Sequence, residues 1–322
     1  MTFARAFAAA LLAVVASAVA GQAQNYPNRN ITAIIPFAAG NANDITARIV
    51  FEQLSKQLGQ AIVIEGRPGA GGTIGVGQAA RAAPDGYTIL FHSATFSASY
   101  VTHKTLPYDT LNDFIAVAPV GISPSVLVAA PSKGYKNAAD LIAAAKAKPG
   151  ELNFASAGIG AASHLAAEKF IAAAGIKAQH IPFKGPVEAL AEVMAGRIDF
   201  YFLPIAAALP QVKEGTVRAL AVSSDKRVAS LPDVPTTVEI GLPGAAYAFW
   251  NGTFVPAKTP RDIVEKLHAE HAKAVAVPAV RERMAKMGIE PLIMSQPEFE
   301  KYFKADVVDT EKLAKTAGIE KQ

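Results

Sequence analysis

The 322-residue chain contains no cysteine. That excludes disulfides, thiolate metal sites and a lipid-modified N-terminal cysteine. There is no phosphate-loop Gly-Lys-Ser/Thr segment. The nearest approach to a serine nucleophile elbow, Gly121-Ile122-Ser123-Pro124-Ser125, lacks the closing glycine. Gly158-Ile159-Gly160-Ala161-Ala162-Ser163 imitates a dinucleotide fingerprint, but no acidic residue follows at about 20 positions to hold a ribose. Lysine and arginine are interspersed with aspartate and glutamate, with no basic run and no aromatic interleaving, which argues against nucleic acid as a partner. His268 and His271 have the spacing of two metal ligands on one helix, but no third ligand accompanies them. After the first residues, no apolar stretch is long enough to span a bilayer. No catalytic set, cofactor or metal emerges.

What is present begins with a secretory signal. Arg5 supplies a positive n-region, residues 6–20 form a short apolar h-region, and Ala18-Val19-Ala20 or Gly21-Gln22-Ala23 offers a cleavage site. Residues 1–23 are therefore expected to be removed on export, lowering the net charge from +4 to +3 as Arg5 is lost. An exported, disulfide-free chain fits a bacterial periplasm. The roughly 300 remaining residues exceed what one core usually serves, so two domains are the default.

Strand-like runs recur at 31–37, 61–65, 87–91, 125–130, 152–155, 180–183, 198–203, 217–222 and 250–255. Helical stretches such as 138–148, 187–195 and 260–276 lie between them. That alternation predicts an α/β fold of mostly parallel sheets with crossover helices. Ile122-Ser123-Pro124 and the Pro/Gly-rich region 231–244 read as crossings between two lobes. They divide the chain into a discontinuous first lobe, 24–123 with 246–322, and a continuous second lobe, 124–245.

Three strand-to-helix turns carry glycine: Phe37-Ala38-Ala39-Gly40-Asn41, then Gly69-Ala70-Gly71-Gly72-Thr73, then Ser156-Ala157-Gly158-Ile159-Gly160. Glycine admits a ligand to the main chain, and a helix N-terminus offers unpaired N–H groups with partial positive charge, a combination that holds anions without Arg or Lys. Thr73 and Ser163 are the expected caps of the second and third helices. Gly59 is expected to end the first helix, whose apolar face is Ala47, Val50, Phe51, Leu54 and Leu58. The third helix presents Ala162, Leu165, Ala166, Phe170 and Ala173. His164 either hydrogen-bonds a neighbouring strand or points into the cleft.

Together these motifs carry a resemblance. The chain resembles the substrate-binding receptors of tripartite tricarboxylate transporters, the Bug family of periplasmic binding proteins. The resemblance rests on Pro36-Phe37-Ala38-Ala39-Gly40 with Asp44 and Ala47-Arg48, Arg67-Pro68-Gly69-Ala70-Gly71-Gly72, and Pro84-Asp85-Gly86-Tyr87-Thr88. It continues through Ser156-Ala157-Gly158-Ile159-Gly160 with Ser163-His164-Leu165, Pro182-Phe183-Lys184-Gly185, Ala219-Leu220-Ala221-Val222, Leu231-Pro232-Asp233-Val234-Pro235-Thr236 and Trp250-Asn251-Gly252.

The resemblance implies a monomeric receptor whose two α/β lobes close over a small organic carboxylate, without catalysis or cofactor, and deliver it to the membrane subunits of a tripartite transporter. A binding protein that feeds a membrane sensor is the alternative, and a secreted enzyme a more distant one. The ligand-binding positions carried over are Phe37, Ala38, Gly40 and Asn41 in the first turn, with Thr73, Ser93 and Thr95 on the same lobe. Across the cleft they are Ser156, Ala157, Gly158, Gly160, Ser163 and His164, with Gly185, Asp199 and Leu203. Asn41 stands where a second glycine is common, and Gly66 where asparagine is common. The apolar Phe202-Leu203-Pro204-Ile205 segment leads to the expectation of a ligand without an amine, although Asp199 lies on the same strand face as Tyr201 and Leu203.

Overall fold

The computed structural model describes residues 26–316, 318, 319 and 321. The expected secretory segment, 1–23, lies outside the described residues. The first lobe opens with strand β1 (Ile31–Ile35), helix α1 (Ala42–Leu58), β2 (Ile62–Gly66), α2 (Thr73–Ala80), β3 (Thr88–Ser93) and α3 (Thr95–Thr102). The long strand β4 (Phe114–Ala129) leads into α4 (Ala138–Ala147), β5 (Asn153–Ser156), α5 (Ala162–Ala174), β6 (Gln179–Pro182), α6 (Pro186–Met194), β7 (Phe200–Pro204), α7 (Ile205–Lys213) and β8 (Arg218–Val222). The chain then returns through β9 (Ala248–Pro256), α8 (Arg261–Ala276), α9 (Pro278–Lys286), β10 (Glu290–Pro291) and α10 (Gln296–Thr316).

The strand order is β2-β1-β3-β9-β4-β7-β5-β6, with β8 and β10 also pairing β4. Two parallel triplets, β2-β1-β3 and β6-β5-β7, match the expected crossover pattern. The expectation of mostly parallel sheets stops there, because every pairing made by β4 and β9 is antiparallel. Strand β9 lies between β3 and β4 and runs antiparallel to both, so β4, reached through α3, keeps the direction of β3.

Strand β4 is shared. Phe114–Pro124 pairs with β9, and from Ser125 onward β4 pairs with β7 and β8. Ile122-Ser123-Pro124, read from sequence as a crossing, is carried as strand rather than loop. Proline is tolerated in so central a strand only where a ladder bond is not required. Pro119 sits beside a register shift, and Pro124 sits where the β9 ladder hands over to β7. The return passage lies alongside. Ser223 Oγ accepts from the Ser125 amide at 2.8 Å and donates to the Tyr247 carbonyl at 2.9 Å.

Helix α1 forms as its sequence suggests. Asn41 caps it by accepting from the amides of Asn43 and Asp44, Gly59 closes it in the left-handed conformation at φ 66, and Ala47, Val50, Phe51 and Leu54 are buried. Leu58 is only partly buried. In α5, Ala173 is exposed and Ala174 takes the buried position instead. The centre of the first lobe is aromatic. Phe96 meets Phe114, Phe254 and Phe303 with ring centroids 5.1–5.3 Å apart, and its ring is fully buried. Such a ring contributes through both area and edge-to-face geometry. Phe96→Ala should therefore destabilise the protein by about 3–5 kcal/mol, measured by urea or guanidinium unfolding. A loss below about 1 kcal/mol would show that the aromatic centre is not the support described here.

Candidate functional site

The turns that the sequence marks as anion sites do converge, but their main-chain amides are largely taken up by the protein's own side chains. At the start of α1, Asn41 Oδ1 takes the Asn43 and Asp44 amides, its Nδ2 donates to the Ala38 carbonyl, and the Gly40 amide donates to Asp44. At the start of α5, Ser163 Oγ accepts from the Ala157 amide at 3.1 Å, Ser156 Oγ from Gly158 at 3.1 Å, and His164 Nδ1 from Gly160 at 3.2 Å. The Ala162 amide donates across the lobes to Thr95 Oγ1 at 3.1 Å. Neither expected cap is a cap. Gly72 holds that position for α2, and Thr73 donates back to the Ala70 carbonyl. Ala161 holds it for α5, so Ser163 closes the turn instead.

A cavity partly open to solvent lies where the lobes meet, with about 370 Å³ of space between its walls, the mouth included. Phe37, Asn41, Asn43, Thr95 and Phe249 line it from the first lobe, and Ala157, Ser163, Tyr201, Leu203 and Pro204 from the second. Ala42, Pro186 and Ala207 complete the wall. No aspartate, glutamate, lysine, arginine or histidine is among these residues. Several of their oxygens already accept a hydrogen bond from the protein itself. Thr95 and Ser163 each accept a backbone N–H, Asn43 Oδ1 accepts from Asn251 Nδ2 at 2.6 Å, and the buried Tyr201 hydroxyl has no hydrogen-bond partner of good geometry.

Of the positions read from sequence, Phe37, Asn41, Thr95, Ala157, Ser163 and Leu203 line the cavity. The others lie elsewhere. Ala38 and Gly40 are exposed, Thr73 is buried at the start of α2, and Ser93 is buried with its hydroxyl unpartnered. Gly185 is the N-cap of α6, next to the lining Pro186.

Gly158 and Gly160 form the seam between the lobes. A Cβ on Gly158, at φ +127, would lie 3.2 Å from Gly71 Cα, and one on Gly160 would collide with the Thr102 side chain. They permit close approach of lobe to lobe, where the sequence suggested approach of ligand to main chain.

Asp199 is the clearest correction to the sequence reading. It pairs with Lys133 Nζ at 2.7 Å and accepts from the Asn153 amide at 2.8 Å, before β7 begins. Those commitments remove it as a partner for a ligand amine. His164 supports the turn from behind, stacked on His180 at 3.8 Å between ring centroids, while His180 Nε2 meets Ser156 Oγ at 2.6 Å. The two helix histidines are engaged as well. His271 bridges Thr253 and the Leu267 carbonyl, and His268 reaches the Val117 carbonyl. Sequence reasoning missed Asn43 and Phe249, and it placed the strand from Asp199 to Pro204 on the cleft without singling out Tyr201. The period-two alternation along β7 does place Tyr201 on the face of Leu203, which was the available signal.

Two α/β lobes that share antiparallel strands and enclose a donor-rich cavity have the architecture of the periplasmic binding proteins. The profile of the tripartite tricarboxylate transporter family receptor matches residues 46–319, and the chain belongs to that family. The chain is 36% identical in sequence to the solved periplasmic binding protein BugD, with a TM-score of 0.87 over 92% of this chain and 100% of that one. It is 31% identical to Rpa4515 of R. palustris, solved with adipate, at TM-score 0.89 over 92% of this chain and 100% of that one. It is also 31% identical to MatC of Rhodopseudomonas palustris, solved with malate, at TM-score 0.83 over 89% and 99%. No helix among the described residues is long and apolar enough to cross a membrane.

The buried histidines set a pH dependence. Burial lowers the pKa of His92 and His180 from 6.5 to about 3, with His164 adding to the effect on His180, and lowers that of His271 to about 4. Below pH 6.5 the unfolded chain takes up protons that the folded protein refuses until about pH 3–4. Stability is therefore full above pH 6.5 and declines as the pH falls through that window. Thermal unfolding in steps from neutral to pH 4 should show a falling midpoint. A constant midpoint across that range would contradict the neutral, buried state of these rings.

Proposed function

We propose that the chain is a periplasmic receptor that captures a small organic carboxylate between its lobes and delivers it to the membrane subunits of a tripartite transporter. The observation that carries this reading is the imbalance in the cavity between the lobes. Thr95, Ser163 and Asn43 already accept hydrogen bonds from the protein and still carry protons to donate, the Tyr201 hydroxyl has no partner of good geometry, and no charged side chain lines the wall. A carboxylate brings acceptors and no donors, so it completes the set with charge-assisted hydrogen bonds. That two relatives were solved with adipate and malate supports the same ligand class.

Export through residues 1–23 places the receptor in the periplasm, where it works as a monomer without catalysis, cofactor or metal. The handover of β4 from β9 to β7 supports the division into 24–123 with 246–322 and 124–245. The ligand touches Phe37, Asn41, Thr95, Ala157, Ser163 and Leu203. Ala38, Gly40, Thr73, Ser93, Ser156, Gly158, Gly160, His164 and Gly185 shape the turns and the seam behind them.

Selectivity follows from the same wall. A ligand ammonium would meet Leu203, Pro204, Ala207 and Phe249 with no acid to pair with, at a cost of several kcal/mol. A thermal-shift and calorimetry panel should find amine-free carboxylates, adipate and malate included, binding more tightly than aspartate and glutamate. A bound ligand raises stability by about 2.7 kcal/mol at a hundredfold excess over its dissociation constant. Aspartate or glutamate as the tightest ligand would refute the amine-free specificity, and a flat response to every carboxylate would refute the receptor reading.

A further inference from the structure

Strand β7 reads Phe200-Tyr201-Phe202-Leu203, and its alternation divides these side chains between two environments. Phe200 and Phe202 face the second lobe's own core with Phe154 and Phe170, whereas Tyr201 and Leu203 face the cavity between the lobes. In a fully buried position between two phenylalanines, a third phenylalanine would fill the space of Tyr201. The hydroxyl adds only a polar group that is withdrawn from water and left unpaired. A buried unpaired hydroxyl is destabilising, so its presence calls for an acceptor that arrives later. Burial also raises the Tyr201 pKa well beyond that of an ordinary phenol, so the group stays protonated and remains a donor. Its polar neighbour is Ser163, which lies near enough to interact with the phenol without reaching hydrogen-bond geometry, and whose oxygen already accepts the Ala157 amide.

We infer that Tyr201 is a ligand-binding residue that, beside Ser163, donates its hydroxyl proton to the ligand's carboxylate. The inference rests on the receptor reading and narrows it. The carboxylate is held on the second lobe by two neutral hydroxyl donors. The rest of the ligand lies against Leu203, Pro204, Ala207 and Phe249, which favours an apolar body over a polar one. Tyr201 thus distinguishes a ligand with an acceptor at this wall from an apolar solute of the same shape.

The test compares the wild-type protein with Tyr201→Phe, which removes one oxygen and keeps the ring. The probes are propionate through octanoate and malonate through suberate, measured by calorimetry, together with the melting temperature of each ligand-free protein. The tightest wild-type ligand should bind Tyr201→Phe about 10- to 100-fold more weakly, the loss of one hydrogen bond to a charged group. The ligand-free variant should melt at the same temperature as wild type or higher, because the unpaired hydroxyl is gone. Unchanged affinity in the variant would overturn the role of Tyr201 while sparing the receptor reading. A lower ligand-free melting temperature with unchanged affinity would make the hydroxyl purely structural and would also overturn it. A wild-type protein that binds malate but none of these acids would overturn the preference for an apolar body, and one that binds no carboxylate at all would overturn both.

Discussion

The constraint on which the rest depends is the sharing of one 16-residue strand, β4, between two sheets. Its first part belongs to β9 and its second to β7 and β8, so both lobes are built on a single continuous backbone. The C-terminal end of β7 pairs with β4 at Ser125, immediately after the handover, which brings Leu203 and Pro204 to the join between the lobes. The β1–α1 and β5–α5 turns open toward the same region from opposite sides. The cavity is therefore a consequence of topology. In open α/β sheets the crevice beyond the carboxyl ends of parallel strands is where ligands bind, and here two such crevices face each other.

The seam between the lobes is kept close by small residues. Gly71 lies against Gly158, Gly160 against Thr102, and the Ala162 amide reaches the Thr95 hydroxyl on the other lobe. Larger side chains at these points would hold the lobes apart. Behind the β5–α5 turn, stacked His164 and His180 hydrogen-bond Gly160 and Ser156, so the turn is braced from within the protein. Turns with their amides already bonded leave recognition to side-chain hydroxyls and one carboxamide. Such neutral donors are suited to an anion that must later be released, since no full opposite charge holds it in place.

Much of the fold was legible because it is written locally. Periodicity located nine strands, and Asn41 and Gly59 mark the ends of α1 in the sequence itself. The misreadings have particular causes. Pro119 and Pro124 made a single long strand look interrupted. Helix α3 is rich in serine and threonine, weak helix formers, and forms because Phe96, Ala98 and Val101 are buried beneath α10. At the site, the glycine turns were found but their role was only half right. Whether an amide is free depends on which nearby side chain takes it, and spacing does not reveal that. The pairing of Asp199 with Lys133 and the lack of a partner for Tyr201 are likewise properties of the assembled lobes.

The central claim is that donors from both lobes, all uncharged, hold a carboxylate in the cavity between them. A crystal structure of the protein with its tightest carboxylate tests this most directly. The account predicts carboxylate oxygens within hydrogen-bond distance of Ser163 and Tyr201 on one lobe, with Thr95 or Asn43 contacted from the other. A ligand seated outside this cavity, or one whose charge is met by a lysine or arginine, would contradict it.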